Sequence, residues 1–129
     1  MFNKVVLVGR LGADPDRRFT PSGQAVTNFR MAVSRQYTRN GERVEETVWV
    51  RVTAWGKLAE VVGEYLQKGR MVLVEGRLEP ASAWIDKASG EARASVEVTA
   101  ETVKFLSGRS NGQTEEGPQA SEVVEDMPF

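Results

Sequence analysis

Thr47-Val48-Trp49-Val50-Arg51-Val52-Thr53-Ala54-Trp55 runs almost directly into Lys57-Leu58-Ala59-Glu60-Val61-Val62-Gly63-Glu64-Tyr65-Leu66-Gln67-Lys68. The first stretch alternates as a strand does, with Val48, Val50, Val52 and Ala54 on one side. The second carries Leu58, Val61, Val62, Tyr65 and Leu66 at i, i+3, i+4, i+7 and i+8, the single apolar stripe of a helix. Gly69 follows Lys68 as a stop signal, and a lysine there suits the negative end of the helix dipole. A period of two gives way to a period of 3.6 at this one place in the chain, and the fold turns on what flanks it.

Before the switch lie three strands. Asn3 to Leu11 is rich in Val and Leu and ends at Gly12. Ala13-Asp14-Pro15-Asp16 and Thr20-Pro21-Ser22-Gly23 are turns by composition. Ala25 to Tyr37 is a long strand with Phe29, Met31 and Val33 at period two. Arg39-Asn40-Gly41-Glu42 holds Asn-Gly, a strong hairpin signal, and leads into Val44 to Trp55. After the helix, Arg70 to Glu79 and Ser95 to Leu106 read as strands. Between them, Ala81 to Ala94 forms a hairpin with its tip near Lys87-Ala88-Ser89-Gly90. Five strands with one helix between the third and fourth is the order of the OB-fold, a small all-β Greek-key barrel. A small β-sandwich shares the strand count, but a single helix at that place favours the barrel. The domain spans residues 1–106. From 107 to 122 the chain has no large apolar residue and reads as a flexible linker. Hydrophobic residues return in Val123-Val124-Glu125-Asp126-Met127-Pro128-Phe129.

Composition narrows the function. The chain has no cysteine and no histidine, which removes thiolate metal sites, the commonest general base and the commonest nucleophile activator. Asp14 and Asp16 flank Pro15 in a turn, which accounts for them without a carboxylate pair. Gly9-Arg10-Leu11-Gly12 lacks the Gly-Lys-Ser/Thr ending of a phosphate loop. The chain therefore reads as a non-enzyme that needs no cofactor or metal. No apolar run is long enough to span a bilayer, and the first residues lack the character of a targeting peptide, so the expected location is cytoplasmic. The net charge of −1 hides a division: residues 1–109 carry +4 and residues 110–129 carry −5. A basic body suggests an anionic partner, although on charge alone an ordinary mildly basic domain fits equally well.

The side of Thr47–Trp55 away from the valines carries Trp49, Arg51 and Trp55. Large aromatics on a solvent face need a reason. Stacking on nucleic-acid bases is one, because every base has a π-face and stacking does not read its identity. An arginine between the rings can meet the phosphate backbone or add a cation–π contact. The two tryptophans lie about 20 Å apart along an extended strand, room for separate stacking stations. Tyr37 and Trp84 sit in polar stretches near predicted hairpins; alone, each reads as a loop anchor. Arg35, Arg39, Arg43, Lys57, Lys68, Arg70 and Arg77 are surface charges one at a time. Their number, together with the four aromatics, makes a phosphate track plausible, and binding along it weakens with salt.

These residues stand in a recognisable setting. Asn3-Lys4-Val5-Val6-Leu7-Val8-Gly9-Arg10-Leu11-Gly12 followed by Asp14-Pro15, then Thr47 to Val52, then Trp55-Gly56-Lys57-Leu58-Ala59-Glu60 with Glu64-Tyr65-Leu66 and Lys68-Gly69, and Val74-Glu75-Gly76, together resemble the bacterial single-stranded DNA-binding protein family. The resemblance covers residues 2–106 and the last few residues. It implies an OB-fold that assembles as a homotetramer and binds single-stranded DNA without sequence preference in replication, recombination and repair. By motif it implies Tyr37, Trp49, Trp55 and Trp84 as base-stacking residues and Lys4, Arg18, Arg51, Lys57 and Lys68 as nearby cations. It also implies that Glu125, Asp126, Met127, Pro128 and Phe129 form a tip that docks on replication and repair proteins. The acidic run is shorter than in the family, Met127 stands where the family has isoleucine, the preceding linker is short, and Val50 replaces a histidine common in the family. An accessory OB protein of replication restart also resembles this family, but it lacks the acidic tip and most of the aromatics.

Overall fold

A computed structural model describes residues 1–106. The chain forms β1 (Val5–Leu11), β2 (Asp16–Phe19), β3 (Ala25–Arg39), β4 (Glu42–Trp55), α1 (Gly56–Tyr65), β5 (Met71–Ile85) and β6 (Ala92–Phe105). Strand pairing runs β1-β5-β6-β4-β3, and β3 returns to β1 through Arg10↔Ala32 and Leu11↔Met31, so five strands close a barrel. All ladders are antiparallel except β4–β6, where Val50 to Thr53 pair in parallel with Val96 to Thr99. This is the OB-fold expected from the element order. Closure needs close backbone approach: a Cβ on Gly9 would lie 2.3 Å from the Ala32 carbonyl oxygen.

The barrel core takes Leu11 from β1, Phe29 and Met31 from β3, Val50, Val52 and Ala54 from β4, Val72 and Val74 from β5, and Val98, Val103 and Phe105 from β6. Helix α1 closes one end with Ala59 and Val62, and the buried Thr27 hydroxyl donates to the Ala59 carbonyl at 2.8 Å. Gly56, at φ 64°, lets β4 turn directly into the helix at a conformation costly for other residues. The Asn-Gly signal is realised at the β3–β4 tip: Asn40 and Gly41 have φ 51° and 81°, the paired positive values of a type I′ turn. The second hairpin also forms, with Asp86 and Glu91 closing its tip by a 2.8 Å backbone bond.

Three details depart from the sequence reading. Asp16–Phe19 is an additional short strand, appended to β3 outside the closed barrel; counted along the chain the helix follows the fourth strand, but among the five barrel strands it lies between the third and the fourth, as expected. All four of its residues are exposed, so no apolar alternation announced it. The helix ends at Tyr65, not Lys68. Leu66 leaves in extended conformation and buries its side chain, while the Lys68 N–H bonds the Asp14 carboxylate at 2.9 Å and the Gly69 N–H bonds the Leu11 carbonyl at 2.9 Å. Those bonds to the β1–β2 connection replace a last helical turn, so Lys68 does not sit on the helix dipole. Finally, Val48 is 45% exposed although it shares the parity of Val50 and Val52. There β3 and β4 have left the barrel as a two-stranded arm, with only the partner strand for cover.

Candidate nucleic-acid interface

The outer face of β4 is built by register. Trp55 lies opposite Val26, which lies opposite Arg18 on β2; Thr53 lies opposite Asn28, and its hydroxyl donates to the Asn28 amide oxygen at 2.8 Å. Arg51 lies opposite Arg30 on β3 and beside Glu97 on β6. Trp49 lies opposite Ala32. Cross-strand partners share a face, so Arg18, Trp55, Arg30, Arg51 and Trp49 follow one another on one surface. Trp49 and Trp55 are each 44% exposed and Trp84 is 49% exposed.

Trp84 reaches this surface through a β-bulge. In β5 the buried residues Val72 and Val74 are even-numbered, and an unbroken strand would aim Trp84 to their side. The register shifts between Glu79 and Ser82, so that Glu79 pairs with Glu97 but Ser82 pairs with Ser95. The extra residue reverses parity, and Ser82 and Trp84 join the outer face with Ser95 and Arg93. Pro80 fits at the break, where no ladder N–H is required.

The result is a groove of about 750 Å³ walled by Trp49 and Trp84, with Arg30, Arg51 and Arg93 and a single carboxylate, Glu97, along it. The Trp49 ring is fixed from two sides. The Arg30 guanidinium lies 4.8 Å from its ring centroid, and Gly12 leaves space beside its edge, where a Cβ would come within 2.6 Å of the indole Cζ3. Arg93 pairs with Asp86 at 3.1 Å and approaches Glu91.

Of the residues singled out in the sequence, Trp49, Arg51 and Trp84 line this groove. Trp55 and Arg18 lie further along the same face, where Arg18 pairs with Asp16 at 2.9 Å. Tyr37 has the parity of Phe29 and Met31, so it lies on the opposite face of the β3–β4 ladder, half-buried out on the arm under Arg35. Lys57 is exposed on the first turn of α1 and Lys68 in the α1–β5 connection. Lys4 bonds Glu75 at 2.9 Å, and that hydrogen bond, with the carboxylate's charge, raises its pKa. Arg77 pairs with Glu79 and approaches Glu101, Arg35 pairs with Glu46, and Arg43 bonds the Gln36 side chain. Of the seven cations read as a phosphate track, Arg35 and Arg77 are thus engaged by local acids. Sequence reasoning missed Arg30 and Arg93. The signal for Arg30 was available: with Phe29 and Met31 inward, Arg30 has to face outward beside Arg51. Glu125, Asp126, Met127, Pro128 and Phe129 lie outside the described residues. Among those described, no helix is long and apolar enough to cross a membrane.

Comparisons with known proteins agree with this fold. The single-stranded DNA-binding protein 1 of Chlorobaculum tepidum is 43% identical over 111 residues, 85% of this chain and 68% of that protein. The single-stranded DNA-binding protein of Neisseria meningitidis serogroup A is 45% identical over 109 residues, 84% of this chain and 62% of that protein. A crystal structure of a deletion mutant of the single-stranded DNA binding protein from Thermus aquaticus superposes with a TM-score of 0.67 at 38% identity, covering 84% of this chain and 52% of that one. The chain therefore spans between about half and two thirds of the length of these relatives. Residues 2–106 match the model of the single-strand binding protein family, and the chain belongs to that family.

Proposed function

We propose that this protein binds single-stranded DNA without sequence preference and protects it during replication, recombination and repair. The observation that carries the reading is the groove in which Trp49 and Trp84 stand half-exposed beside Arg30, Arg51 and Arg93. Flat rings accept any base, and guanidinium groups meet the phosphates that every sequence shares. Trp55 extends the same face toward β2, and Tyr37 supplies a stacking surface on the arm. Lys4, Arg18, Lys57 and Lys68 add positive potential around the path rather than direct seats in the groove. The relatives named for single-stranded DNA binding support the same assignment.

The working unit is a homotetramer, and Glu125 to Phe129 recruits replication and repair enzymes; both rest on family resemblance. The protein acts by binding and carries out no catalytic step. The deciding experiment titrates it with oligo-dT while following tryptophan fluorescence at low and high salt. Quenching that saturates at a fixed nucleotide-to-protein ratio and weakens with salt is the expected result. Equal affinity for duplex, or no quenching at low salt, overturns the reading. Deletion of residues 123–129 leaves DNA binding intact and abolishes partner capture if the tip has the proposed role.

A further inference from the structure

The Arg30–Arg51 register is unusual for a sheet face. The two arginines are direct cross-strand partners on neighbouring strands, and like charges directly opposite each other destabilise a ladder. Among the described residues neither forms a salt bridge, whereas Arg93, the third arginine of the groove, does. Glu97 is the one carboxylate in the groove, and it stands beside Arg51 without closing an ion pair. Two unneutralised guanidinium groups on adjacent strands, between two exposed tryptophans, form a cavity whose electrostatics call for an anion.

Resting on the single-strand-binding reading, we infer that Arg30 and Arg51 form a two-arginine phosphate seat, which holds one phosphodiester of the bound strand between the bases stacked on Trp49 and Trp84. Arg30 is the residue that makes it a seat rather than a single contact. Its guanidinium is stacked over the Trp49 ring at 4.8 Å. Stacking orients the planar group while leaving its N–H edge free for a bidentate acceptor, a geometry that lysine cannot reproduce. The same contact ties the phosphate station to a base station, so one nucleotide's phosphate and its neighbour's base are positioned together. The repulsion between the arginines is present in the free protein and is relieved when the anion arrives, so the seat sacrifices some stability for affinity.

The test uses the full-length chain, oligo-dT of about eight nucleotides, within the span of one such domain, and the variants Arg30→Gln and Arg30→Lys. In Arg30→Gln the slope of log affinity against log salt becomes shallower by about 0.7, the value for one phosphate contact on a single strand. Affinity at low salt falls about tenfold, the loss expected for one charge-assisted hydrogen-bonded contact, and the melting temperature of the free protein stays level or rises. Arg30→Lys keeps most of the salt slope but recovers only part of the affinity. If wild type binds and Arg30→Gln leaves slope and affinity unchanged, the seat is overturned while the binding function stands. If the variant melts markedly lower, Arg30 serves the fold and the seat is likewise overturned. If wild type itself fails to bind oligo-dT, both readings fall together.

Discussion

On the inner face of β4, Val50, Val52 and Ala54 are at most 2% exposed; one residue away, on the outer face, Trp49, Arg51 and Trp55 stand in solvent. The strand, its partners and its local backbone are the same for both sets. What differs is what lies above them. The inner residues meet Met31, Phe29 and the helix, and their burial stabilises the barrel by roughly 25 cal/mol per Å² of apolar surface removed from water. The outer residues meet a groove open to solvent, and their apolar surface remains available to a ligand. The inner face therefore belongs to stability and the outer face to binding, and substitutions on the two sides separate these quantities.

The largest effect is expected on the inner side. Met31→Ala, opposite Val50 and fully buried, loses about 2–5 kcal/mol in urea unfolding. If it costs less than about 1 kcal/mol, the core has been misplaced. On the outer side, Trp49→Ala and Trp84→Ala each weaken oligo-dT binding by about 1–3 kcal/mol with little change in melting temperature. A fall in melting temperature as large as that of Met31→Ala would place these rings in the fold instead. Deletion of Ala81 removes the bulge and turns Trp84 to the opposite face. The variant should retain its far-ultraviolet spectrum and lose the same binding energy as Trp84→Ala, about 1–3 kcal/mol; unaltered binding would mean that the bulge does not aim the ring. Gly12→Ala presses on the Trp49 indole, and the displaced ring should weaken binding by about 1 kcal/mol, less than its outright removal. The smallest effect belongs to the exposed Arg35–Glu46 pair on the arm: a double-mutant cycle there returns less than about 1 kcal/mol and shrinks with added salt.

The same contrast explains how far the sequence could be read. The barrel was legible because its rules are local: alternation in β4, the stripe of α1 and Asn40-Gly41 each carry their own signal. Trp49, Arg51 and Trp55 were legible as a face because β4 keeps its parity from Val50 to Trp55. Parity ceased to predict burial in two places. In β5 the bulge reverses it, so Trp84 could be flagged by its polar neighbours but not assigned to a side. At Val48 parity still holds, but the barrel has ended and there is no core left to enter. Arg30 lies between Phe29 and Met31 in the apolar half of β3, so its outward position emerges only once those two are assigned to the core. Arg93 shares the outer face of β6 with Glu97 and Ser95 at period two, and the shifted register sets Trp84 opposite it. The helix terminus was not legible because Asp14, more than fifty positions upstream, captures the Lys68 amide.

Closure of the barrel also bears on how the chain comes off the ribosome. Apart from two residues matched with β3, strand β1 is paired with β5, with Val5 opposite Gly76 and Arg10 opposite Met71. At translation rates of about 5–20 residues per second, Val5–Leu11 waits on the order of 3–14 s before its principal partner has been made. During that interval a valine-rich segment has a largely unsatisfied edge, the condition under which nascent strands associate with one another. Non-local pairing of this kind also places the folding rate in the slow range for small domains, milliseconds to seconds. A helper that shields Val5–Leu11 during synthesis would raise the yield of folded protein without touching its final stability.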